Sequence, residues 1–167
     1  MMRRIKKHVQ EYIYGNKLTI TVRIIIGLLF IYSSVFKIIN PVAFADSVAR
    51  YGILSETLVP YAAIAIPYIE LFIGTCLALG FSIRPAATAG ILLMTVFIIG
   101  ITYNMAYGKS FDCGCFELSY LGITETIGWG LLLRDVIITI LLWSLYHVDR
   151  HPFSLVSMVL KSDLREM

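Results

Sequence analysis

Charge is scarce in this chain. Only 15% of its 167 residues are Asp, Glu, Lys or Arg, whereas 58% are hydrophobic and the mean hydropathy is +0.80. A water-soluble domain of this size needs more polar surface than that to cover its core, so the composition excludes one and points to lipid. Cysteine is scarce as well: three residues cannot staple a small secreted scaffold. No basic run is interleaved with aromatics in a polar segment, which removes the case for nucleic-acid binding. Internal repeats and low-complexity stretches are absent, and no length is left beside a membrane bundle for a separate soluble enzyme.

Long apolar runs are what the chain has in quantity. Four stretches, 18–36, 61–80, 85–107 and 127–147, approach the roughly 20 helical residues that span a hydrocarbon core. Each is expected to be helical, because an open strand would leave backbone groups unpaired in lipid. The expected fold is therefore all-α, an integral membrane four-helix bundle over 18–147 between a basic tail, 1–17, and a C-terminal tail, 148–167. The first run follows Arg3, Arg4, Lys6, Lys7 and Lys17. It is too long for a cleaved signal sequence and no small-x-small cleavage site follows it, so it reads as a retained anchor.

Orientation follows from Lys and Arg near the helix ends. The N-terminal tail, Arg84, Arg150, Lys161 and Arg165 give nine on one side, against Lys37, Arg50 and Lys109 on the other. Both termini are thus expected in the cytoplasm of a bacterial-type inner (plasma) membrane. The loops 38–60 and 108–126 are then expected to face outward. The first of these carries its own helix signal. Asn40-Pro41 reads as an N-cap with proline at the first helical position. Val42, Phe44, Ala45, Val48, Ala49 and Tyr51 follow at near-helical spacing, and Gly52 supplies a stop. A short amphipathic helix lying over the bundle end is expected. Gly27, Gly74, Gly90 and Gly100 read as close-packing positions between spans.

Chemistry concentrates in the second outer loop, Phe111-Asp112-Cys113-Gly114-Cys115-Phe116-Glu117. Two residues of extended chain reach at most about 7 Å, and a bend at Gly114 brings the Cα atoms into disulfide range, about 4.4–6.8 Å. So small a ring is strained and should be more oxidising than a structural disulfide, in a compartment that favours oxidation. Three alternatives compete with redox function. A zinc site lacks ligands, since His8, His147 and His151 lie on the cytoplasmic side, and no metal is expected. A structural disulfide would remove little unfolded-state entropy from so short a loop. Two free thiols fit poorly beside an oxidising space. Cys76, roughly 24 Å below the outer face by helical rise, is too deep to exchange with the pair and reads as a core thiol.

Charges inside the spans form the second signal. Glu70, Arg134 and Asp135 lie roughly 12–15 Å below the outer face, and Lys37 ends the first span on the same side. Charges at that depth should face the interior and pair, Glu70 with Arg134 or Lys37. As a structural device they would clamp the second and fourth spans together. As a functional one they would form a polar pocket that moves protons or binds a head group. Arg23, near the cytoplasmic end, is expected to snorkel.

Together these positions resemble the methylamine-utilisation MauE family within the broader DoxX-like membrane proteins. The resemblance covers roughly 20–147. It rests on Arg23, Gly27, Lys37, Pro41 and Phe44, on Pro67, Glu70, Gly74, Gly80 and Arg84, and on Cys113-Gly-Cys-Phe116 and Arg134-Asp135. It implies a four-helix membrane protein engaged in thiol–disulfide chemistry with a thioredoxin-like extracytoplasmic partner. It also implies maturation of a disulfide-rich methylamine dehydrogenase subunit, and for DoxX-like relatives a link to quinol oxidation. The family loop commonly continues with glycine after Phe116; here Glu117 follows, and an acid beside the thiols disfavours the thiolate. The function expected is a membrane redox-relay or disulfide-maturation component using Cys113 and Cys115, with a quinone as candidate electron carrier. The alternative is a non-catalytic membrane subunit or assembly factor with a structural Cys-Gly-Cys disulfide. A small-solute permease fits less well, because no span is broken.

Overall fold

The computed structural model describes residues 2–109 and 127–147, with side chains from residue 17. Cys113, Cys115 and the C-terminal tail lie outside the described residues. Five helices make up the rest: α1 (Met2–Ile39), α2 (Pro41–Arg50), α3 (Val59–Leu79), α4 (Ile83–Ala106) and α5 (Trp129–His147). Lys17–Ile39 of α1, with the whole of α3, α4 and α5, are long and apolar enough to cross a membrane. The chain is a multi-pass membrane protein, its helices extending the expected spans by up to three residues or trimming them by up to two. α1 also runs back to Met2, through what the sequence alone marks as a tail.

Large apolar side chains such as Leu28, Ile64, Phe72, Leu92, Ile99 and Ile140 are exposed around the bundle. Helices that are hydrophobic all round suit a lipid solvent, where burying oil against oil gives no driving force and close packing must hold the helices together. That packing is tightest where α1 crosses α3. A Cβ added at Gly27 would lie 2.7 Å from the Ala78 nitrogen, and one at Gly74 would lie 2.7 Å from the Gly27 carbonyl oxygen. Both contacts are with backbone, so only glycine lets the two chains approach this far. Gly90 plays a milder part, admitting Leu142 of α5 to within 3.1 Å of its missing Cβ. Ile73, Leu77, Met94, Ile101, Leu142 and Leu145 fill the interior between the crossings.

The turns at the two ends differ. α3 stops at Gly80 (φ 74°), with Gly80 N–H donating to Leu77 O and Phe81 N–H to Cys76 O. This is the Schellman arrangement, which satisfies carbonyls left over at a helix end. At the other end a single residue, Asn40 (φ −121°, ψ 65°), separates α1 from α2, and Pro41 opens α2 as expected. The expected side-chain cap is not made: Asn40 contributes only its backbone, its carbonyl accepting from Phe44 N–H at 3.2 Å. α2 lays Phe44 and Val48 onto Val59 and Ala63 of α3, and ends near Gly52 (φ 65°). It covers the bundle end, with Val42 left exposed on its other face.

Candidate functional site

α1 and α3 run antiparallel past the glycine crossing, and that register decides which polar groups meet. Arg23 lies against Gly80, Gly27 against Gly74 and Ala78, and Ile31 against Gly74. Further along, Lys37 therefore arrives beside Glu70. The Lys37 ammonium donates to both carboxylate oxygens, at 2.6 Å to Oε1 and 2.7 Å to Oε2. Ser33, one turn earlier on α1, donates its hydroxyl to Oε2 at 3.3 Å. All three side chains are buried. Pro67 sits almost one turn before Glu70 and has no N–H for the Ala63 carbonyl, so the α3 ladder opens just under α2.

Two rings bracket the ammonium. Phe44 of α2 stands 4.9 Å from Lys37 Nζ and Phe97 of α4 stands 5.6 Å away, both within cation–π range. Residues from α1, α2, α3 and α4 thus converge on one lysine. Water is excluded, so the charges rely on one another: attraction at this distance in low dielectric is large, and so is the desolvation it must offset.

Of the two expected partners, Glu70 bonds Lys37. The expected clamp between the second and fourth spans is corrected: this pair joins the first and second. Arg134 instead folds back onto its neighbour, with Nε at 3.0 Å and Nη2 at 2.9 Å from Asp135 Oδ1. Asp135 is buried while the Arg134 side chain keeps 25% exposure. Arg134 and Asp135 both act electrostatically on Lys37, so the four expected groups share one neighbourhood. Arg23 is buried within the protein (3% exposed). Its guanidinium lies over Gly80, where a Cβ would come within 2.8 Å of Nη1. That is the carbonyl-rich, negative end of α3, a natural seat for a cation.

Ser33, Phe97 and Asn104 are site residues that the sequence reading did not single out. Ser33 had a usable signal, since a hydroxyl one turn from Lys37 shares its face. Phe97 had none, being one aromatic among many. Asn104 is fully buried in α4 and ties it to the α2 end, its Nδ2 donating to Tyr51 O at 3.2 Å and to Gly100 O at 3.0 Å. Both partners are carbonyls, which fixes the amide's orientation.

Both Glu70 oxygens are occupied, so the site as it stands braces the helices; binding an external head group would require the pair to open. Lys109, three residues beyond the end of α4, reaches to 3.6 Å from where a Gly52 Cβ would be. Lys109 thus lies beside the α2–α3 connection, and Cys113 and Cys115 lie outside the described residues. Cys76 is buried near the Gly80 end.

Comparison with known proteins agrees with this architecture. No solved structure matches the chain. A curated relative, the methylamine utilization protein MauE of Methylorubrum extorquens, is 29% identical over 118 residues. The match covers 70% of this chain and 62% of the relative, so this chain spans less than two thirds of that relative's length. The family model described as methylamine utilisation protein MauE matches residues 15–147, a range that takes in all four spans, the ion pair and the cysteine loop. The chain belongs to the MauE family.

Proposed function

We propose that this protein is a component of methylamine utilisation in a bacterial inner membrane, exchanging disulfides through Cys113 and Cys115 with an extracytoplasmic thioredoxin-like protein. The observation that carries the reading is the Cys113-Gly114-Cys115 sequence between the third and fourth spans of a MauE-family membrane protein; in this reading that segment faces outward and both termini lie in the cytoplasm. The charge asymmetry of nine basic residues against three supports that orientation.

The exchange balances as follows. The Cys113 thiolate attacks a partner disulfide, forming a Cys113–partner mixed disulfide and releasing one partner thiolate. Cys115 then attacks the Cys113 sulfur, closing the Cys113–Cys115 disulfide and releasing the partner's second thiolate. The partner gains two electrons and this chain loses two; in reverse, the partner is oxidised. A quinone/quinol couple, carrying two electrons and two protons, would reset the pair from within the bilayer. The Lys37–Glu70 brace serves this chemistry by fixing α1 against α3 beside Phe44 of α2. Cys113 follows Asp112 on the more hydrophilic side and takes the attacking role; Cys115 precedes Phe116 and resolves.

Trapping tests the assignment. Cys115→Ser should accumulate a reducible higher-mass adduct with the partner in cells, and Cys113→Ser should not. If neither variant traps a partner and both retain full activity in a maturation assay, the exchange reading is wrong. One observation favours the alternative, a non-catalytic assembly factor with a stapled loop. The third and last cysteine, Cys76, is buried toward the far end of the bundle, so the chain has no second dithiol to relay electrons.

A further inference from the structure

An apolar cavity of ≈ 140 Å³ lies between α2, the connection that follows it, and the faces of α3 and α4. Phe44, Tyr51, Phe97 and Gly100 are among its walls. Gly100 creates part of the space, since a Cβ there would stand 3.2 Å from the Tyr51 ring. Ile53, Leu54 and Val96 also line it, and they are 55%, 40% and 65% exposed, so they form the open side. Val96 lies ten residues before the end of α4, about 15 Å along the helix. The opening therefore runs from Ile53 and Leu54 in the α2–α3 connection down the side of the bundle to Val96, inside the α4 span, where the surrounding medium is hydrocarbon.

We propose that this cavity binds a segment of one acyl chain of a bilayer phospholipid. Water is a poor occupant, because a cavity of this size lined by carbon stays dry and takes up apolar guests. Among the described residues no charged side chain lines the walls for a polar head group, and Lys37 is paired with Glu70 beside Phe44 and Phe97. The volume matches a guest of about six carbons, a cavity of similar size being known to accept benzene. A mid-chain stretch of one lipid tail fits that size and lies at the opening's depth. The guest would rest on the same two rings that bracket the Lys37 ammonium. Lipid occupancy and the ion pair are then neighbours across a single aromatic layer. The proposal does not depend on the thiol chemistry.

The full chain in phospholipid nanodiscs, doped with a phosphatidylcholine bearing a mid-chain diazirine, provides the test. After photolysis, peptide mass spectrometry compares Ile53, Leu54 and Val96 with Leu92, which is 64% exposed on the same α4 but does not line the cavity. Labelling of the three should exceed that of Leu92 by about tenfold, the ratio set by about 1.4 kcal/mol of preference. Val96→Trp, which closes the opening at an exposed position, should abolish the excess at Ile53 and Leu54, and Leu92→Trp should leave it intact. Equal labelling at all four positions, or an excess indifferent to Val96→Trp, would overturn the proposal. A polyisoprenoid lipid that displaces the label better than added phospholipid would also overturn it, by replacing the acyl chain with a branched guest.

Discussion

Glu70→Gln removes one charge and little volume at the point where four helices meet. Lys37 Nζ loses a carboxylate that it touches at 2.6 and 2.7 Å. The ammonium keeps the rings of Phe44 and Phe97, which offset up to about 2 kcal/mol in a desolvated site, and one neutral amide oxygen. Breaking a buried pair by deleting one partner costs about 3–5 kcal/mol, so the retained contacts put Glu70→Gln near the lower end. Lys37→Met strands the carboxylate, for which Ser33 supplies one hydroxyl at 3.3 Å, and should fall near the upper end. The double variant leaves no net charge and only a buried amide to satisfy, at about 1–2 kcal/mol. The two changes should therefore couple by at least about 3 kcal/mol. Equilibrium unfolding in mixed micelles, followed by far-UV circular dichroism, measures all three variants. A double variant that matches the sum of the singles to within about 0.5 kcal/mol would refute the ion pair as described.

The same cycle with Arg134→Met in place of Lys37→Met should show coupling below about 1 kcal/mol, because Arg134 is bonded to Asp135 and partly exposed. Gly27→Ala and Gly74→Ala each drive a Cβ into backbone at 2.7 Å and should cost about 3 kcal/mol or more, or abolish the folded yield. Gly130→Ala, with nothing within 4 Å, should be neutral or stabilising in the same unfolding assay. A membrane-impermeant thiol reagent applied to intact cells after mild reduction should label Cys113 and Cys115 and spare Cys76. Labelling only after the membrane is opened would reverse the proposed orientation.

Span positions were legible because apolar run length alone governs them: α3, expected over 61–80, occupies Val59–Leu79. The start of α2 was legible for a different reason, since Pro41 is preset for the first helical turn and disfavours continuing α1 through Asn40. Partner identity was not. Depth along a span can be counted in residues, but which faces meet depends on rotation and register, and these are set by backbone contacts at Gly27 and Gly74. Counted by depth, Glu70 could meet Arg134 or Lys37; the crossing brings it to Lys37. The burial of Arg23 was not legible for a related reason. Gly80 is legible as a helix stop, but the room that its missing side chain leaves for a guanidinium appears only when α1 and α3 are side by side.

The contact between Gly27 and Gly74 also makes the helix pair a lever of unequal arms. Taking that crossing as the fulcrum, Arg23 on Gly80 is four residues away, about 6 Å, and Lys37 on Glu70 is ten residues away on the other side, about 15 Å. Measured along α1, the arm that carries Lys37 is thus about two and a half times the longer. Rotating α1 by about 6° about the crossing would carry the Lys37 backbone about 1.5 Å, a shift on the scale that takes a 2.6 Å contact out of hydrogen-bond range. The pair and the guanidinium seat thus pin one rod at two distances from its pivot, and scissoring of α1 against α3 must break the longer arm's contact first.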